Sequence, residues 1–465
     1  MGRSLQNGWM VTVGRAPRSI ALVEAASGRR WTRAAVAAAA SEWAGAFTRE
    51  AGVSTSFRRR VALSVPNGIE WLTAFLGVLY SGNVPVPIDP SEPEEAQVAA
   101  ARKVGASHIW RNGGLHALDP ASGSRLRPTP SECLVKLTSG TSGAPEALSV
   151  THAQMIADAR QVCGTMGVGG ADSNLAAIPL GYSYGLGSIT APLLVFGTRI
   201  VCISSPLPHA LAGDIRRHKP TVFPAVPPLL RALALSAVPA EMLGSLRLVI
   251  SAGSPLAPEV AEGFMRKFGV RVHGFYGTTE TGGISYDAGG RATLEGRSVG
   301  RPLRGVNVKI GPSGRCIVSS PAVAGHRRFV AVDRARMNEW GELVLLGRSD
   351  RVAKVGGRRV DLAEVEAALR SVPGVGGAFA HVTEAPEGLL AAAVATSLSA
   401  AEVRGSLRGR LAPWKIPARL LVLGFLPATA RGKVDTRALR QILGSPRTAT
   451  STSTLRAARQ MSARR

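Results

Sequence analysis

One loop of the chain consists only of small hydroxylated residues and glycines. Residues 138–143 read Thr-Ser-Gly-Thr-Ser-Gly and follow the short apolar run Leu134–Leu137. Glycines allow backbone amides to approach the oxygen atoms of a polyphosphate, and the hydroxyl groups add further donors. The spacing is not that of a Walker A loop, which needs a lysine directly after its last glycine. Taken alone, the segment fits a phosphate-binding loop and a flexible Ser/Gly turn equally well.

A second segment places a carboxylate beside hydroxyl groups. Residues 274–280 read Gly-Phe-Tyr-Gly-Thr-Thr-Glu, at the end of a strand that the apolar pattern predicts at Val270–Tyr276. Ligands bind at the carboxyl ends of strands in open α/β sheets. The oxygen atoms of Thr279 and Glu280 suit phosphate and Mg²⁺. The alternative is an ordinary strand-to-turn segment.

Two further segments lie towards the C-terminus. Residues 341–366 contain Gly-Glu-Leu, then Gly-Arg-Ser-Asp, and then the pair Gly356-Gly357. Residues 426–435 read Leu-Pro-Ala-Thr-Ala-Arg-Gly-Lys-Val-Asp, where proline and glycine hold a loop that presents Lys433. A lysine ammonium is a compact charge that can reach a phosphate or carboxylate oxygen. Since most lone loop lysines are simply solvated, the order and spacing of all four segments carry the argument.

Alternating apolar strands and helices must position these segments, which favours an α/β fold. The pattern up to about residue 285 predicts α/β layers around a parallel sheet, and short strands with glycine turns follow to 347. A compact unit then contains a hairpin, helices at 361–370 and 400–411, and a strand at 389–395. Further predicted strands are Val61–Val65, Val84–Ile88, Leu246–Ser251, Val306–Ile310 and Leu343–Leu346, and further predicted helices are Ile69–Tyr80, 94–103 and Thr151–Met166. Residues 112–131 are predicted to form a loop.

In their order and spacing, the four segments resemble the adenylate-forming superfamily. It includes acyl- and aryl-CoA synthetases, the adenylation domains of peptide synthetases, and luciferases. The resemblance covers about residues 20–440 and implies that ATP activates a carboxylic acid as an acyl-adenylate, with release of pyrophosphate. A thiol then accepts the acyl group, either CoA or the phosphopantetheine of a carrier protein. An ATP-dependent ligase that forms carbon–sulfur bonds is therefore expected.

The resemblance also implies residue roles. Lys433 matches the catalytic lysine, Thr279 is expected to contact the α-phosphate, and Glu280 is expected to bind Mg²⁺. Asp333 and Arg348 match the residues that reach the ribose. The full set expected to bind ATP or AMP is Thr138, Ser139, Gly140, Thr141, Ser142, Gly143, Ala252, Gly253, Ser254, Phe275, Tyr276, Gly277, Asp333 and Arg348.

The same resemblance predicts how the chain is divided. Residues 1–346 are expected to form a large AMP-binding domain that includes a small β-rich subdomain. Residues 347–351 form a hinge at Asp350, and 352–444 form a small, mobile α+β domain that carries the catalytic lysine. Gly356 and Gly357 are expected to act in the thiol half-reaction. The tail, 445–465, is rich in Ser, Thr and Arg, which predicts a basic disordered segment.

Several positions depart from the pattern of the superfamily. The phosphate loop commonly continues Pro-Lys-Gly, whereas here Glu146 stands in place of the lysine. An unpaired carboxylate near ATP is unfavourable, so either Glu146 turns outward or ATP binding is weakened. Tyr182 replaces a histidine that is frequent in the superfamily. A catalytically degraded homologue that acts as a binding protein is the rival interpretation, although the retained set from Thr279 to Lys433 argues against it.

The acid substrate is specified less strongly. Amino-acid-activating relatives carry an aspartate that pairs with the α-amino group, but residues 181–184 read Gly-Tyr-Ser-Tyr and contain no acid. This favours a fatty or aryl acid. The expected pocket residues are small or aromatic: Tyr182, Tyr184 and Gly282, together with Gly253 and Phe275.

The net charge of +25 raises the question of a nucleic-acid partner. Only 8 of the 56 basic residues are lysine, and the arginines are spread through the chain. Without a recognised nucleic-acid module, we interpret them as solvated side chains and expect no specific nucleic acid to bind. The widely spaced cysteines predict neither a zinc site nor a disulfide framework, and a reducing cytoplasm is expected. No signal peptide or transmembrane segment is predicted, since prolines and glycines interrupt the apolar stretch Leu175–Ile203.

Overall fold

The computed structural model describes residues 4–50, 58–118, 128–138, 146–325, 327–348, 352–355, 358–383, 389–408, 410–429 and 434–444. Within this part of the chain there are two compact units, one ending at Leu346 and one beginning at Gly347. No helix in the described ranges is long and apolar enough to cross a membrane.

The strands are β1 (Ile20–Glu24), β2 (Arg30–Thr32), β3 (Arg60–Leu63), β4 (Val84–Pro87), β5 (Ala106–Arg111), β6 (Gly114–Ala117), β7 (Glu132–Thr138), β8 (Glu146–Thr151), β9 (Ser173–Ala176), β10 (Arg199–Cys202), β11 (Val222–Ala225), β12 (Leu248–Ser251), β13 (Val272–Thr278), β14 (Gly282–Tyr286), β15 (Arg301–Pro302), β16 (Asn307–Ile310), β17 (Arg315–Ser319), β18 (Arg328–Met337), β19 (Leu343–Arg348), β20 (Val352–Val355), β21 (Arg358–Asp361), β22 (Gly377–Val382), β23 (Leu390–Ala395) and β24 (Arg419–Leu423).

The α-helices are α1 (Leu5–Arg15), α2 (Arg33–Glu50), α3 (Ile69–Tyr80), α4 (Glu94–Lys103), α5 (His152–Met166), α6 (Ser183–Gly185), α7 (Ala191–Phe196), α8 (Pro208–His218), α9 (Pro227–Leu235), α10 (Pro258–Phe268), α11 (Arg291–Leu294), α12 (Leu362–Arg370), α13 (Ala400–Leu407) and α14 (Thr436–Gly444). A π-helical turn, Leu186–Thr190, joins α6 to α7.

The large sheet of the first unit has the strand order β15-β14-β13-β12-β11-β9-β10-β1-β2. The pairs from β13 through β1 are parallel, while β2, β14 and β15 join antiparallel at the two ends. A second sheet, β4-β3-β5-β6, contains parallel pairs of β3 with β4 and β5. Strands β16 to β19 form a separate β-rich sheet. The predicted α/β fold class is confirmed.

Apolar periodicity accounts for the helices that pack against these sheets. Helix α3 has the predicted bounds, and every residue from Trp71 to Leu79 is buried. Helix α5 begins after Thr151, which forms a capping box with Gln154 and satisfies two backbone N–H groups at the helix start. The left-handed C-cap Gly167 then ends the helix. This capping places α5 directly after β8.

Several elements were not predicted. Helix α1 begins at the N-cap Ser4, and strand β6 lies within the segment predicted to be a loop. Strand β6 pairs with β5 across the turn at Asn112 and Gly113, which both have positive φ angles. The prediction of a loop over 112–131 was therefore wrong for β6, because a short hairpin strand carries little apolar signal of its own.

The second unit contains the hairpin β20–β21 and the sheet β22-β23-β24. Helix α12 starts at the N-cap Asp361, whose side chain accepts a hydrogen bond from the Ala363 amide at 2.9 Å. The apolar faces of α12 and α13 cover one side of the sheet, with Val365, Leu369 and Val403 fully buried. Strands β22 and β24 were not predicted from the sequence.

Candidate active site

The carboxyl ends of β12 and β13 lie side by side. The strands are parallel, with Ser251 opposite Gly274. Residues 252–254, which follow β12, therefore lie at the same edge as residues 275–277, which extend β13 past the end of β12 and pair with β14. Ala252 and Phe275 are buried, whereas Gly253 and Gly277 are exposed. The φ angle of Gly253 is +90°, a conformation that favours glycine. The structure thus brings together the two segments that the resemblance assigns to the nucleotide.

Asp333 reaches the same segment from the β-rich sheet. It lies on β18, and its Oδ2 atom accepts a hydrogen bond from the Tyr276 hydroxyl at 2.7 Å. Burial, together with the Asp333 carboxylate, raises the pKa of the neighbouring Cys316 thiol to about 11. The predicted ribose-binding aspartate is therefore held against the predicted nucleotide-binding tyrosine.

The turn from Thr278 to Thr281 fixes the position of Glu280. The hydroxyl groups of Thr278 and Thr281 are 3.1 Å apart, and the Glu280 carbonyl accepts a hydrogen bond from the Ala324 amide at 2.8 Å. Thr279 and Glu280 are half-buried. Among the described residues, the Glu280 carboxylate has neither an ion pair nor a hydrogen bond, so it remains available to a ligand.

The Glu280 carboxylate fits Mg²⁺ that arrives with a polyphosphate. Such an ion is usually held by one or two carboxylates together with phosphate oxygens and water. The described ranges contain no group of three or more His, Cys, Asp or Glu side chains that could hold a metal ion. The described residues therefore do not form a cage made only of protein ligands. They present the single carboxylate of Glu280, next to Thr279, which is predicted to contact phosphate.

Part of the predicted site lies outside the described residues. This applies to Ser139, Gly140, Thr141, Ser142, Gly143, Lys433, Asp350, Gly356 and Gly357, and to the side chains of Thr138, Glu146 and Arg348. Thr138 ends β7 and pairs with Glu146, the first residue of β8. Arg348 is the last residue of β19. The roles of these residues, and the direction of the Glu146 side chain, stay predictions.

Lys136, two residues before the phosphate-loop segment, was missed by the sequence analysis. Its side chain lies on β7 and is only 6% exposed. Burial lowers the pKa of Lys136, while the charges of Asp158, Cys133 and Glu280 act in the opposite direction. A lysine inside the apolar run Leu134–Leu137 was the available signal. A buried ammonium group therefore lies close to the proposed metal ligand.

Asp158 was also missed. It lies on α5 and is 4% exposed. Its Oδ1 atom accepts a hydrogen bond from the Gly283 amide at 2.9 Å. Burial raises the pKa of Asp158, against the opposing effects of Lys136 and of the Gly283 amide. An aspartate in the apolar part of a helix was the signal in the sequence, but only the fold shows what it faces.

The predicted substrate-pocket residues are partly brought together. The rings of Tyr184 and Phe275 are 5.9 Å apart, and the Tyr184 hydroxyl donates a hydrogen bond to the Ile250 carbonyl at 3.3 Å. Gly282, with φ of +70°, lies beside Asp158. Tyr182 precedes α6 and is half-buried. The π-helical turn that follows is a feature often found at functional sites.

Cavities also occur away from these residues. One of about 300 Å³ is lined by Gln6, Phe47, Thr48, Arg58, Leu79, Ser81, Gly82, Asn83, Pro130 and His152. Another, of about 390 Å³, is lined by residues between Ser64 and Gly113. None of the predicted site residues lines either of these cavities.

Sequence comparison identifies matches along most of the chain. Residues 10–135 and 119–323 match the family described as AMP-binding enzyme, and residues 364–433 match the AMP-binding enzyme C-terminal domain. A benzoate–CoA ligase of Thauera aromatica is 27% identical over 82% of this chain and 85% of its own length. A probable non-canonical nonribosomal peptide synthetase, CymA of Salinispora arenicola, is 27% identical over 82% of this chain, which spans only 5% of that protein.

Comparison with solved structures also finds a protein with a similar fold. The crystal structure of ATP-bound MatB from Rhodopseudomonas palustris superposes with a TM-score of 0.79 over 95% of this chain and 99% of that one. The sequences are 21% identical, so the likeness concerns the fold.

Proposed function

This chain belongs to the AMP-binding enzyme family, and we propose that it uses ATP to activate a carboxylic acid as an acyl-adenylate. The acyl group then passes to the thiol of CoA, which makes the protein an AMP-forming acid–thiol ligase. The observation that carries the proposal is the hydrogen bond from Tyr276 to Asp333. It joins the segment matched to the nucleotide and the residue matched to the ribose, beside the available carboxylate of Glu280.

The first half-reaction brings two anions together. A carboxylate oxygen of the acid attacks the α-phosphorus of ATP, a new P–O bond forms, and the bond to the leaving pyrophosphate breaks. Positioning and charge stabilisation supply the catalysis. Thr279 donates to the α-phosphate, and the Lys433 ammonium group contacts both reactants. Mg²⁺ offsets the charge of the phosphate oxygens when bound, and Glu280 is the residue that would hold it.

The remaining residues bind and orient the nucleotide. Asp333 and Arg348 accept and donate hydrogen bonds at the ribose hydroxyls. Residues 252–254 and 275–277 contact the adenine, and residues 138–143 bind the phosphates through their amides and hydroxyls. Since Glu146 replaces a lysine, more of the phosphate charge is left to the amides, the metal and Lys433.

The second half-reaction is assigned to the small domain. A rotation at Asp350 exchanges the Lys433 loop for the turn at Gly356 and Gly357, and conformational steps of this kind are common in enzymes that sequester their reactants. The name of the Thauera aromatica relative supports an aryl acid and CoA. The match to a peptide synthetase supports the alternative acceptor, a carrier-protein phosphopantetheine. Because ATP and CoA are cytoplasmic metabolites, we place the reaction in the cytoplasm.

A pyrophosphate-release assay tests the proposal. The full chain is incubated with ATP, Mg²⁺ and each of a panel of aryl and fatty acids, with and without CoA. We expect release that depends on the acid and on Mg²⁺, and an acyl-CoA product when CoA is present. Transfer to a purified carrier protein, with none to CoA, would establish the alternative acceptor. Binding of ATP or acid without any release would establish the degraded, binding-only homologue instead.

A further inference from the structure

We propose that Asp158 selects carboxylic acids that carry a hydrogen-bond-donating substituent, an amino or hydroxyl group, over plain hydrocarbon acids. The proposal rests on the acid-activating function proposed above and concerns the acyl end of the same site. It assigns a specificity-determining role to a residue that lies on α5, outside the four segments to which the resemblance assigns roles.

The Asp158 carboxylate is buried with few partners. The hydrogen bond from the Gly283 amide reaches Oδ1, and within the described ranges no other group donates to either carboxylate oxygen. An ionised carboxylate has about four acceptor positions, and leaving them empty in a buried site is unfavourable. Among the described residues Oδ2 therefore keeps an unfilled acceptor position, which a donor group on a bound acid could fill.

Two glycines show where this carboxylate points. A methyl group at Gly187 would lie 2.7 Å from Oδ2, and one at Gly282 would overlap Oδ1. The carboxylate therefore occupies the space beside these two glycines that side chains would otherwise take. Gly187 lies in the π-helical turn, and Gly282 begins β14, two residues after Glu280.

The aromatic part of the predicted pocket adjoins this point. A methyl group at the neighbouring Gly283 would lie 3.0 Å from the Phe275 ring, and the Tyr184 ring is next to Phe275. Tyr184 is one helical turn before Gly187. The Asp158 carboxylate, the backbone of Gly282 and Gly283 and the Phe275 ring thus lie next to one another, with the Tyr184 ring beside Phe275.

The positive charge of Lys136 stabilises the Asp158 carboxylate from a distance, without a direct ion pair. It influences Asp158 electrostatically, yet the described residues show no ion pair between the two within 4.0 Å. The carboxylate can therefore be buried next to a positive charge and still have Oδ2 free to accept a hydrogen bond.

This arrangement refines the earlier interpretation of the acid. The segment 181–184 contains no acidic residue, which favours an aryl or fatty acid as the substrate. Helix α5, however, brings an acidic side chain, Asp158, to the predicted pocket from another part of the chain. A hydrocarbon acid would leave the buried carboxylate unpaired. Sites built around a buried hydrogen-bonding group discriminate strongly against analogues that lack the matching group.

The test compares acids that differ only in the substituent. Pyrophosphate release by the wild-type chain and by Asp158→Asn is measured with benzoate, the three aminobenzoates, the three hydroxybenzoates and octanoate. We expect the wild type to have a kcat/KM at least tenfold higher for one substituted benzoate than for benzoate. In Asp158→Asn that ratio should fall at least tenfold, mainly through KM. The amino and hydroxyl series show which donor is used.

Two further variants separate specificity from folding. Gly187→Ala places a methyl group against Oδ2 of Asp158. It should also lower the ratio of kcat/KM for the substituted benzoate to kcat/KM for benzoate. Asp214→Asn removes another buried aspartate, on α8, which accepts hydrogen bonds from Ser204; its ratio should match the wild type. Equal losses for all acids in Asp158→Asn, or a wild type that prefers benzoate or octanoate, overturn this inference and leave the proposed function standing. Absence of release with every acid overturns both.

Discussion

The Tyr276 hydroxyl donates a hydrogen bond to Oδ2 of Asp333 at 2.7 Å, across 57 positions of sequence. Tyr276 lies on β13 of the large sheet, and Asp333 lies on β18 of the β-rich sheet. A hydrogen bond to a carboxylate orients it more firmly than one between neutral groups. Under the proposed function, in which Asp333 binds the ribose, the tyrosine orients the aspartate before the nucleotide binds.

Tyr276→Phe should weaken nucleotide binding with little effect on the chemical step. Loss of a hydrogen bond to a charged group costs about 1.5–3 kcal/mol, so KM for ATP should rise about tenfold or more while kcat changes less. Kinetics at varied ATP concentration measure this. Tyr286→Phe is the matched control, because its hydroxyl lies 3.3 Å from Nδ1 of His273 and has no role assigned in nucleotide binding. An unchanged KM for ATP in Tyr276→Phe would contradict the prediction.

Lys433→Ala should abolish adenylation and leave the protein folded. Removal of one charged donor that stabilises a transition state typically lowers the rate by a factor on the order of 10²–10³. Single-turnover formation of acyl-adenylate measures the effect, and the melting temperature checks the fold. Lys415→Ala, which removes an ammonium group paired with Glu364, should keep the wild-type rate. Wild-type pyrophosphate release by Lys433→Ala would refute the assignment.

Glu280→Gln should raise the concentration of Mg²⁺ needed for half-maximal activity. The amide keeps the shape of the side chain but removes the negative charge that suits Mg²⁺. A titration of pyrophosphate release with Mg²⁺ at fixed ATP measures the shift. Glu262→Gln serves as the control, since Glu262 forms an exposed ion pair with Arg266. A Mg²⁺ dependence identical to that of the wild type would exclude Glu280 as the metal ligand.

Protonation of His152 should make the fold less stable at mildly acidic pH. Burial, assisted by the nearby Arg58 guanidinium, lowers the pKa of His152 to about 4, and its Nδ1 atom accepts a hydrogen bond from the Leu5 amide at 3.2 Å. Because the folded pKa lies below the unfolded value of about 6.5, the unfolded chain takes up a proton first. Stability is then lost as the pH falls from about 6.5 towards 4, by about 3 kcal/mol at most.

Urea denaturation between pH 7.5 and 5 measures this loss. In His152→Gln the pH dependence of the midpoint should be smaller than in the wild type, even though the variant is less stable at pH 7.5. His209→Gln changes an exposed histidine on α8 and should keep the wild-type dependence. If His152→Gln also keeps the wild-type pH dependence of the midpoint, His152 is not the group whose titration lowers the stability.

Local patterns in the sequence predicted much of the fold. The bounds of α3 follow from its apolar periodicity, and the start of α5 follows from Thr151 and the capping box. The α/β class and the family are confirmed. The pairing of β1 with β10 was not predictable, because it joins Leu22 to Ile200 and no local pattern encodes so distant a partner.

The residues of the candidate site also fall into two groups, those that the sequence singled out and those that only the structure shows. Residues within recognisable segments, such as Tyr276, Glu280 and Asp333, were assigned to the site by the resemblance, and their roles stay predictions. Lys136 and Asp158 were not, because burial of a charge depends on packing between β7, α5 and β14. A charged residue in an apolar stretch signals that something is unusual, but the sequence does not show which groups it meets.

Removal of the Lys136 charge tests whether Lys136 and Asp158 stabilise each other in the buried part of the site. Lys136→Met keeps most of the side-chain volume but leaves Asp158 and Glu280 without the nearby ammonium group, and an uncompensated buried charge is destabilising. We expect Lys136→Met to unfold at a lower urea concentration than the wild type. The double variant Lys136→Met/Asp158→Asn should lose less stability than the sum of the single variants, by more than about 0.5 kcal/mol. The exposed Lys309→Met should change little. Strict additivity of the two variants would mean that Lys136 and Asp158 do not interact, and the source of the compensating charge at Asp158 would then have to be a group other than Lys136.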